Sequence, residues 1–163
     1  MEAFNHFTCL SYDTIDFLIH SKYVLFGIYL HEKIEEKKIN FENEILPHIN
    51  LEHFFEDNFL CKKEEECNVM LVMKKDDLDK TLQKKIEKYT GTSFPDSGNF
   101  AISVNSDIKT KLIDLSELKL IPQGIRLRQK NCGINAIGFD QNQRRQILIS
   151  PDNLLRTFIG GEA

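Results

Sequence analysis

The chain lacks any apolar run long enough to cross a bilayer: the longest, over residues 23–30, falls far short of the roughly 20 residues a spanning helix needs. Its opening residues Met1-Glu2-Ala3-Phe4-Asn5-His6 carry neither a basic segment nor an apolar stretch, which argues against a secretory signal and for a cytoplasmic protein. An excess of positive charge is missing too. With 25 acidic against 21 basic residues the net charge is −4, so no global field draws in phosphate backbones and no nucleic acid partner is expected. The four cysteines, Cys9, Cys61, Cys67 and Cys132, form no Cys-x-x-Cys pair and no zinc-type spacing with histidine, which is the usage of reduced cytosolic thiols. The eight glycines sit singly or at turns. There is no phosphate loop, no Gly-x-Ser-x-Gly elbow, no His-Glu-x-x-His and no dinucleotide fingerprint, so neither a catalytic residue nor a cofactor is expected.

What the chain has is apolar material for one core. A hydrophobic fraction of 41% with twelve Phe, over 163 residues, suits a single domain or two small lobes sharing a core. Short apolar segments recur at spacings of about 8 to 12 residues with turn signals between them, the pattern of a β-barrel or sandwich. Residues 7–12 and 15–19 read as a first hairpin around Asp13-Thr14. Residues 24–30, rich in β-branched and aromatic side chains, read as a buried strand, and 32–38 as a solvated charged stretch. Pro47 marks 44–55 as an edge strand or strand entrance that ends in a short turn or helix. Residues 68–73, 100–104, 111–115 and 118–122 read as further strands, with another over 124–127.

One helix is expected over 76–89. Leu78, Leu82, Ile86 and Tyr89 recur at helical spacing, Asp76 or Asp77 can cap its start, and Gly91 can end it. Residues 91–99 follow as a Gly/Ser/Pro loop between two halves. The ending is the most strongly patterned part: Ile134-Asn135-Ala136-Ile137-Gly138-Phe139, a polar turn at Asp140-Gln141-Asn142-Gln143, then Gln146-Ile147-Leu148-Ile149 and a Ser150-Pro151-Asp152 that can cap a short terminal helix.

Candidate ligands and charges have plain structural readings. His48 and His53 are five apart with Glu52 between them, a spacing that converges on neither a helix nor a strand, so they read as surface or hydrogen-bonded histidines and not as metal ligands. The run Glu64-Glu65-Glu66 reads as a solvated loop, and Lys80, Lys84, Lys85 and Lys88 as the solvated face of the helix. Arg126, Arg128, Lys130, Arg144 and Arg145 make the second half locally basic. They read as polar-face residues guarding strand edges, or else as a patch for an acidic protein or RNA.

In order, these segments resemble the CheW-like adaptor domain of bacterial chemotaxis. The resemblance rests on an aromatic second strand at Asp16-Phe17-Leu18-Ile19, a third strand at 24–30, and Ile45-Leu46-Pro47-His48-Ile49-Asn50-Leu51 in the place of the family's apolar-apolar-Pro-x-apolar-x-Leu segment. It continues with Phe100-Ala101-Ile102-Ser103-Val104-Asn105-Ser106, Asp114-Leu115-Ser116-Glu117-Leu118-Lys119-Leu120-Ile121-Pro122, and the closing hairpin with its Leu154-Leu155 ending. The family's Gly-x-Ile-Asn-Leu-Arg-Gly stretch before the Pro-containing strand has no counterpart here, and the helix over 76–89 looks like an insertion. The resemblance implies a mainly β fold, two intertwined small five-stranded β-barrels around a shared core, with one inserted helix near 77–90 and a short C-terminal helix. It implies a single domain over 1–163, with lobes at 1–75 and 100–155 joined through 76–99. It further implies a noncatalytic adaptor that binds a chemotaxis histidine kinase, a chemoreceptor or both through strand surfaces and an inter-lobe groove, with Pro47, Ile49 and Leu51 as protein-binding residues. The rival reading is a small β-barrel that binds a ligand or single-stranded nucleic acid, with Phe and Tyr as stacking platforms beside Arg126, Arg128 and Arg144.

Overall fold

Period-two alternation with one apolar face is what lets a strand cover a core while its other face meets a second environment, and this chain uses it to build two layers. The computed structural model describes residues 4–59, 61–63, 66–120 and 134–161. The elements run β1 (Phe4–Ser11), β2 (Ile15–His20), β3 (Val24–Leu30), β4 (Lys38–Phe41), β5 (Glu44–Asn50), α1 (Phe54–Phe59), β6 (Asn68–Lys74), α2 (Lys80–Thr90), β7 (Asn99–Asn105), β8 (Ile108–Asp114), β9 (Leu118–Leu120), β10 (Ile134–Phe139), β11 (Arg145–Ile149) and α3 (Pro151–Gly161). The fold is mainly β, with two sheets. One is ordered β8-β1-β2-β11-β10-β9 and the other β3-β6-β7-β5-β4. The first holds one strand more than the five expected, with the three-residue β9 at its edge.

The sheets do not follow the halves of the chain. The first hairpin β1–β2 joins β8–β11, while β3–β7 form the other layer, so 76–99 is not a boundary between sheets. Each sheet contains one parallel pair, β2 with β11 and β5 with β7, because the chain leaves a layer and returns to it. Between the layers lies a shared core that includes Leu10, Phe17, Ile49, Leu51, Phe55, Leu71, Ile102, Ile147 and Leu155. Each sheet also curls over a small cluster of its own: Phe7, Cys9, Leu18 and Ile113 in the first, Leu46, Met70, Val72 and Ala101 in the second. Rings do much of the filling. Phe17 packs at 4.6 Å from Phe55 and 4.7 Å from Phe59, with Tyr12 edge-on at 5.3 Å, pairs worth about 0.5–1.5 kcal/mol each beyond their buried area.

Several local expectations change. Residues 24–30 do form a strand, but an edge strand: Leu25, Phe26 and Tyr29 are exposed, because β3 pairs only with β6. β5 is not an edge strand. It pairs with β4 from Phe41↔Glu44 to Lys38↔Pro47 and with β7 from His48↔Ala101 onward. The His48 amide donates to Lys37 on the β4 side, so the position of the missing Pro47 amide faces β7, one residue before that ladder starts. β4 has no counterpart among the expected strands; it folds back on β5 through Glu42-Asn43, both with positive φ (49° and 66°).

α2 begins later than expected. Its cap is Asp79, whose carboxylate accepts from the Leu82 amide at 2.7 Å, while Asp76 and Asp77 sit in a preceding 3-10 turn, Lys75–Asp77. Gly91, in the left-handed region at φ 66°, ends it as expected. α3 follows the closing hairpin and docks on α2, where Arg156 bonds the Asp79 carboxylate at 2.6 Å and Tyr89 packs edge-on against Phe158. The strand expected over 124–127, with Ile121, Pro122, Arg126, Arg128, Lys130 and Cys132, lies outside the described residues.

Gly138 in β10 is where backbone crowding is most acute. A Cβ there would stand 2.5 Å from the Glu117 carbonyl oxygen, a backbone atom that cannot rotate away. Gly138→Ala is expected to cost about 1–3 kcal/mol, read as a lower urea midpoint at unchanged slope. A variant as stable as the parent would show that β9 yields at no cost.

Candidate functional site

The three residues expected to bind protein, Pro47, Ile49 and Leu51, all lie on or just after β5. Pro47 is buried, and Ile49 and Leu51 are wholly enclosed in the core between the sheets. β5 is covered on one face by the shared core, which takes in Ile49 and Leu51, and on its edges by β4 and β7, so none of the three side chains lies at the surface.

Apolar surface is exposed elsewhere. The pairing registers bring the N-terminal end of β3, the C-terminal end of β4 and the N-terminal end of β5 to one end of the second sheet. There Leu25, Phe26 and Ile45 are 40%, 46% and 52% exposed, and the Phe26 ring lies 5.9 Å from that of Phe41. Both strands that frame this end are sheet edges, with a backbone side that carries no ladder. A second exposed group sits on the first sheet. Leu112 and Phe139 border a groove of about 280 Å³ with Ile113 and Leu118, rimmed by Asp114, Glu117 and Asp140. The sequence could have shown the first patch through Leu25-Phe26 and Phe41, but a continuous apolar run carries no period to say which side is out.

The charged residues with the greatest burial hold the first sheet together. Asp16 on β2, only 3% exposed, accepts from Arg144 Nη2 at 2.8 Å, Gln146 Nε2 at 2.8 Å and Lys111 Nζ at 3.1 Å. Lys111 also donates to Asp140 at 3.2 Å and Gln146 at 2.9 Å, and Arg144 donates to the carbonyls of Tyr12 and Asp13. Asp140 orders the hairpin turn that delivers Arg144, accepting from the amides of Asn142 and Arg144. Burial alone pushes the Asp16 carboxyl up. Hydrogen bonds from Arg144, Gln146 and Lys111 outweigh it and hold the group at about 2. Arg144 is therefore committed inward and is corrected as a candidate for an open basic patch; Arg145 beside it is exposed.

The two histidines are placed apart. His48 is buried, with Nδ1 at 2.6 Å from the Glu36 carbonyl, which can only accept, so Nδ1 carries the proton and Nε2 accepts from Ser103 Oγ. Burial lowers its pKa. His53 is largely exposed and reaches Glu52 at 3.7 Å. Among the described residues no cluster of three His, Cys, Asp or Glu converges on a metal position, and no helix is long and apolar enough to cross a membrane. The Cys9 thiol, buried and beside Asp16, is pushed up to about 11, which keeps it protonated at neutral pH.

Two layers that exchange strands around a common core, each curled over a cluster of its own, match the CheW fold. The chain is similar to the crystal structure of the scaffolding protein TtCheW from Thermoanaerobacter tengcongensis, with a TM-score of 0.54 at 13% identity over 92% of this chain and 91% of that one. No family model matches the sequence, and no curated protein matches it. At that identity the likeness is one of fold.

Both buried titrating groups give the fold an acid limit. Asp16 is lowered on folding, so its contribution is present above the unfolded value of 3.8 and is lost as pH falls toward 2, about 2 kcal/mol in all. His48 is also lowered, so its neutral form favours the fold above 6.5, and stability falls as pH drops below that value while the unfolded chain takes up the proton. Urea titrations from pH 7.5 to 5 are expected to show a decline that His48→Gln reduces; an unchanged slope in the variant contradicts this role. Asp16→Asn should cost about 2–4 kcal/mol, less than a fully buried pair, because the Lys111 and Arg144 side chains keep 31% and 26% of their surface. A neutral result would mean that Arg144 and Lys111 re-solvate freely.

Proposed function

We propose that the chain acts as one domain over 1–163, as a noncatalytic adaptor of chemotaxis-type signal transduction that links a histidine kinase and a chemoreceptor. The observation that carries this reading is the likeness to a scaffolding protein over nearly the full length of both chains. The exposed end formed by Leu25, Phe26, Phe41 and Ile45 supports it physically, since a contiguous apolar group flanked by unpaired strand edges is the makeup of a protein-docking surface. In this reading the binding surface moves from Pro47, Ile49 and Leu51 to that end of the second sheet. The protein works in the cytoplasm, recruited to receptor arrays at the membrane through its partners. The nucleic acid reading loses one of its three named arginines, because Arg144 is engaged with Asp16.

The test is binding of purified kinase regulatory domain and receptor signalling fragments to the parent chain and to Phe26→Ser. Loss of an aromatic anchor is expected to weaken one of the two complexes about 30-fold or more, with the melting temperature within about 2 °C of the parent because Phe26 is half in solvent. Equal affinity for both fragments in parent and variant would remove this surface from the proposal.

A further inference from the structure

The lysines of α2 form a charged surface that the adaptor reading leaves unused. At about 100° per residue, Lys80, Lys84, Lys88 and Lys85 fall in a continuous sector about 140° wide that holds only Thr81 besides them. All four are exposed, and none forms an ion pair within the described residues. Lys37, from the segment before β4, adds a fifth charge at the far end: its ammonium sits 4.1 Å above the Tyr89 ring. The apolar side of the helix, Leu82 and Ile86, is buried in the core, so the lysine sector is what α2 presents outward.

Folding does not require this arrangement, and two terms oppose it. Like charges at i, i+4 destabilise a helix by a few tenths of a kcal/mol per pair, and Lys80–Lys84 and Lys84–Lys88 are two such pairs. Lys80 is also the first residue of the helix, where the positive end of the macrodipole disfavours a cation. The sector holds no glutamate; Glu87, on its border beside Lys80 and three positions from Lys84, accepts from the Phe94 amide and makes no ion pair with either lysine among the described residues. In a chain of net charge −4, a concentrated basic strip is a local departure from the whole.

We infer that the α2 face is a docking site for an acidic segment of a partner protein, with carboxylates repeating about once per helical turn. From Lys80 to Lys88 the strip is about 12 Å long, which matches two turns of an opposing helix. The chemistry of the sector separates this occupant from two others. A lipid surface gains lasting hold on a helix through apolar side chains inserted beside the charges, and none is present in the sector. Single-stranded nucleic acid is held by aromatic faces and arginine stacking, and the sector has no arginine, while the Tyr89 ring is already covered by Lys37. Lysine point charges suit carboxylates that stay partly hydrated, which gives modest affinity and strong dependence on salt.

The test uses the full chain and the triple variant Lys80→Gln, Lys84→Gln, Lys88→Gln, chosen because Gln matches Lys in helix propensity. The probes are a fluorescent helical peptide with Glu at every fourth position, vesicles containing phosphatidylserine, and a single-stranded oligonucleotide. The expected result is binding of the peptide by the parent that weakens at least tenfold between about 50 and 300 mM salt. The triple variant should lose at least tenfold in affinity at low salt while its melting temperature stays level or rises, because repulsion along the helix is relieved. Equal peptide binding by parent and variant, no binding by the parent, or tighter binding of vesicles or oligonucleotide than of peptide would each overturn the assignment.

Discussion

A carboxylate that is almost wholly buried has to be neutralised where it stands, and the way Asp16 meets that demand organises the molecule. Its partners come from β8, β11 and the turn before β11, and Arg144 is 128 positions away in sequence. Satisfying Asp16 therefore requires the last hairpin to lie parallel beside β2 and β8 to lie beside β1. Once those strands occupy the first sheet, β3–β7 pair among themselves. Removing one member of such a group leaves the other charges without partners, so a single substitution costs more than the intact network contributes.

The layering that follows decides what is inside and what is out. Sheet side chains such as Phe17 and Ile102, with Phe55 from α1, form the shared core, while those on the opposite faces close over two smaller clusters. Curling brings Phe26 on β3 within ring contact of Phe41 on β4, although the two strands are opposite edges of their sheet. The edges meet through side chains and not through a backbone ladder, and the apolar groups at that end stay exposed. An exposed apolar group of this kind arises where the two edges of a sheet approach without pairing, with no special motif in the sequence.

Much of the architecture was legible because strands and helices leave periods. The hairpin at β1–β2, the strands β6 and β7, the closing hairpin and the lysine-faced helix were each readable from alternation or from three-to-four spacing. β3 was misread as buried because a continuous apolar run looks the same at a sheet edge as at its centre. β4 escaped because four residues, Lys38-Ile39-Asn40-Phe41, are too few to establish a period, and its turn needs positive φ at Glu42 and Asn43, which neither residue announces. The cap falls at Asp79, three residues past Asp76 and two past Asp77, because those two belong to the 3-10 turn Lys75–Asp77 that precedes the helix. Pro47, Ile49 and Leu51 are buried, and their burial was not legible because an apolar segment around a proline reads the same whether its side chains pack inward or meet a partner.

Sedimentation of the chain mixed with kinase regulatory domain and receptor signalling fragment tests the proposed bridging of two partners. A bridging chain gives a single faster species containing all three, and the two fragments fail to co-sediment when the chain is left out. Mutually exclusive binding of the fragments, or no complex with either, would contradict it.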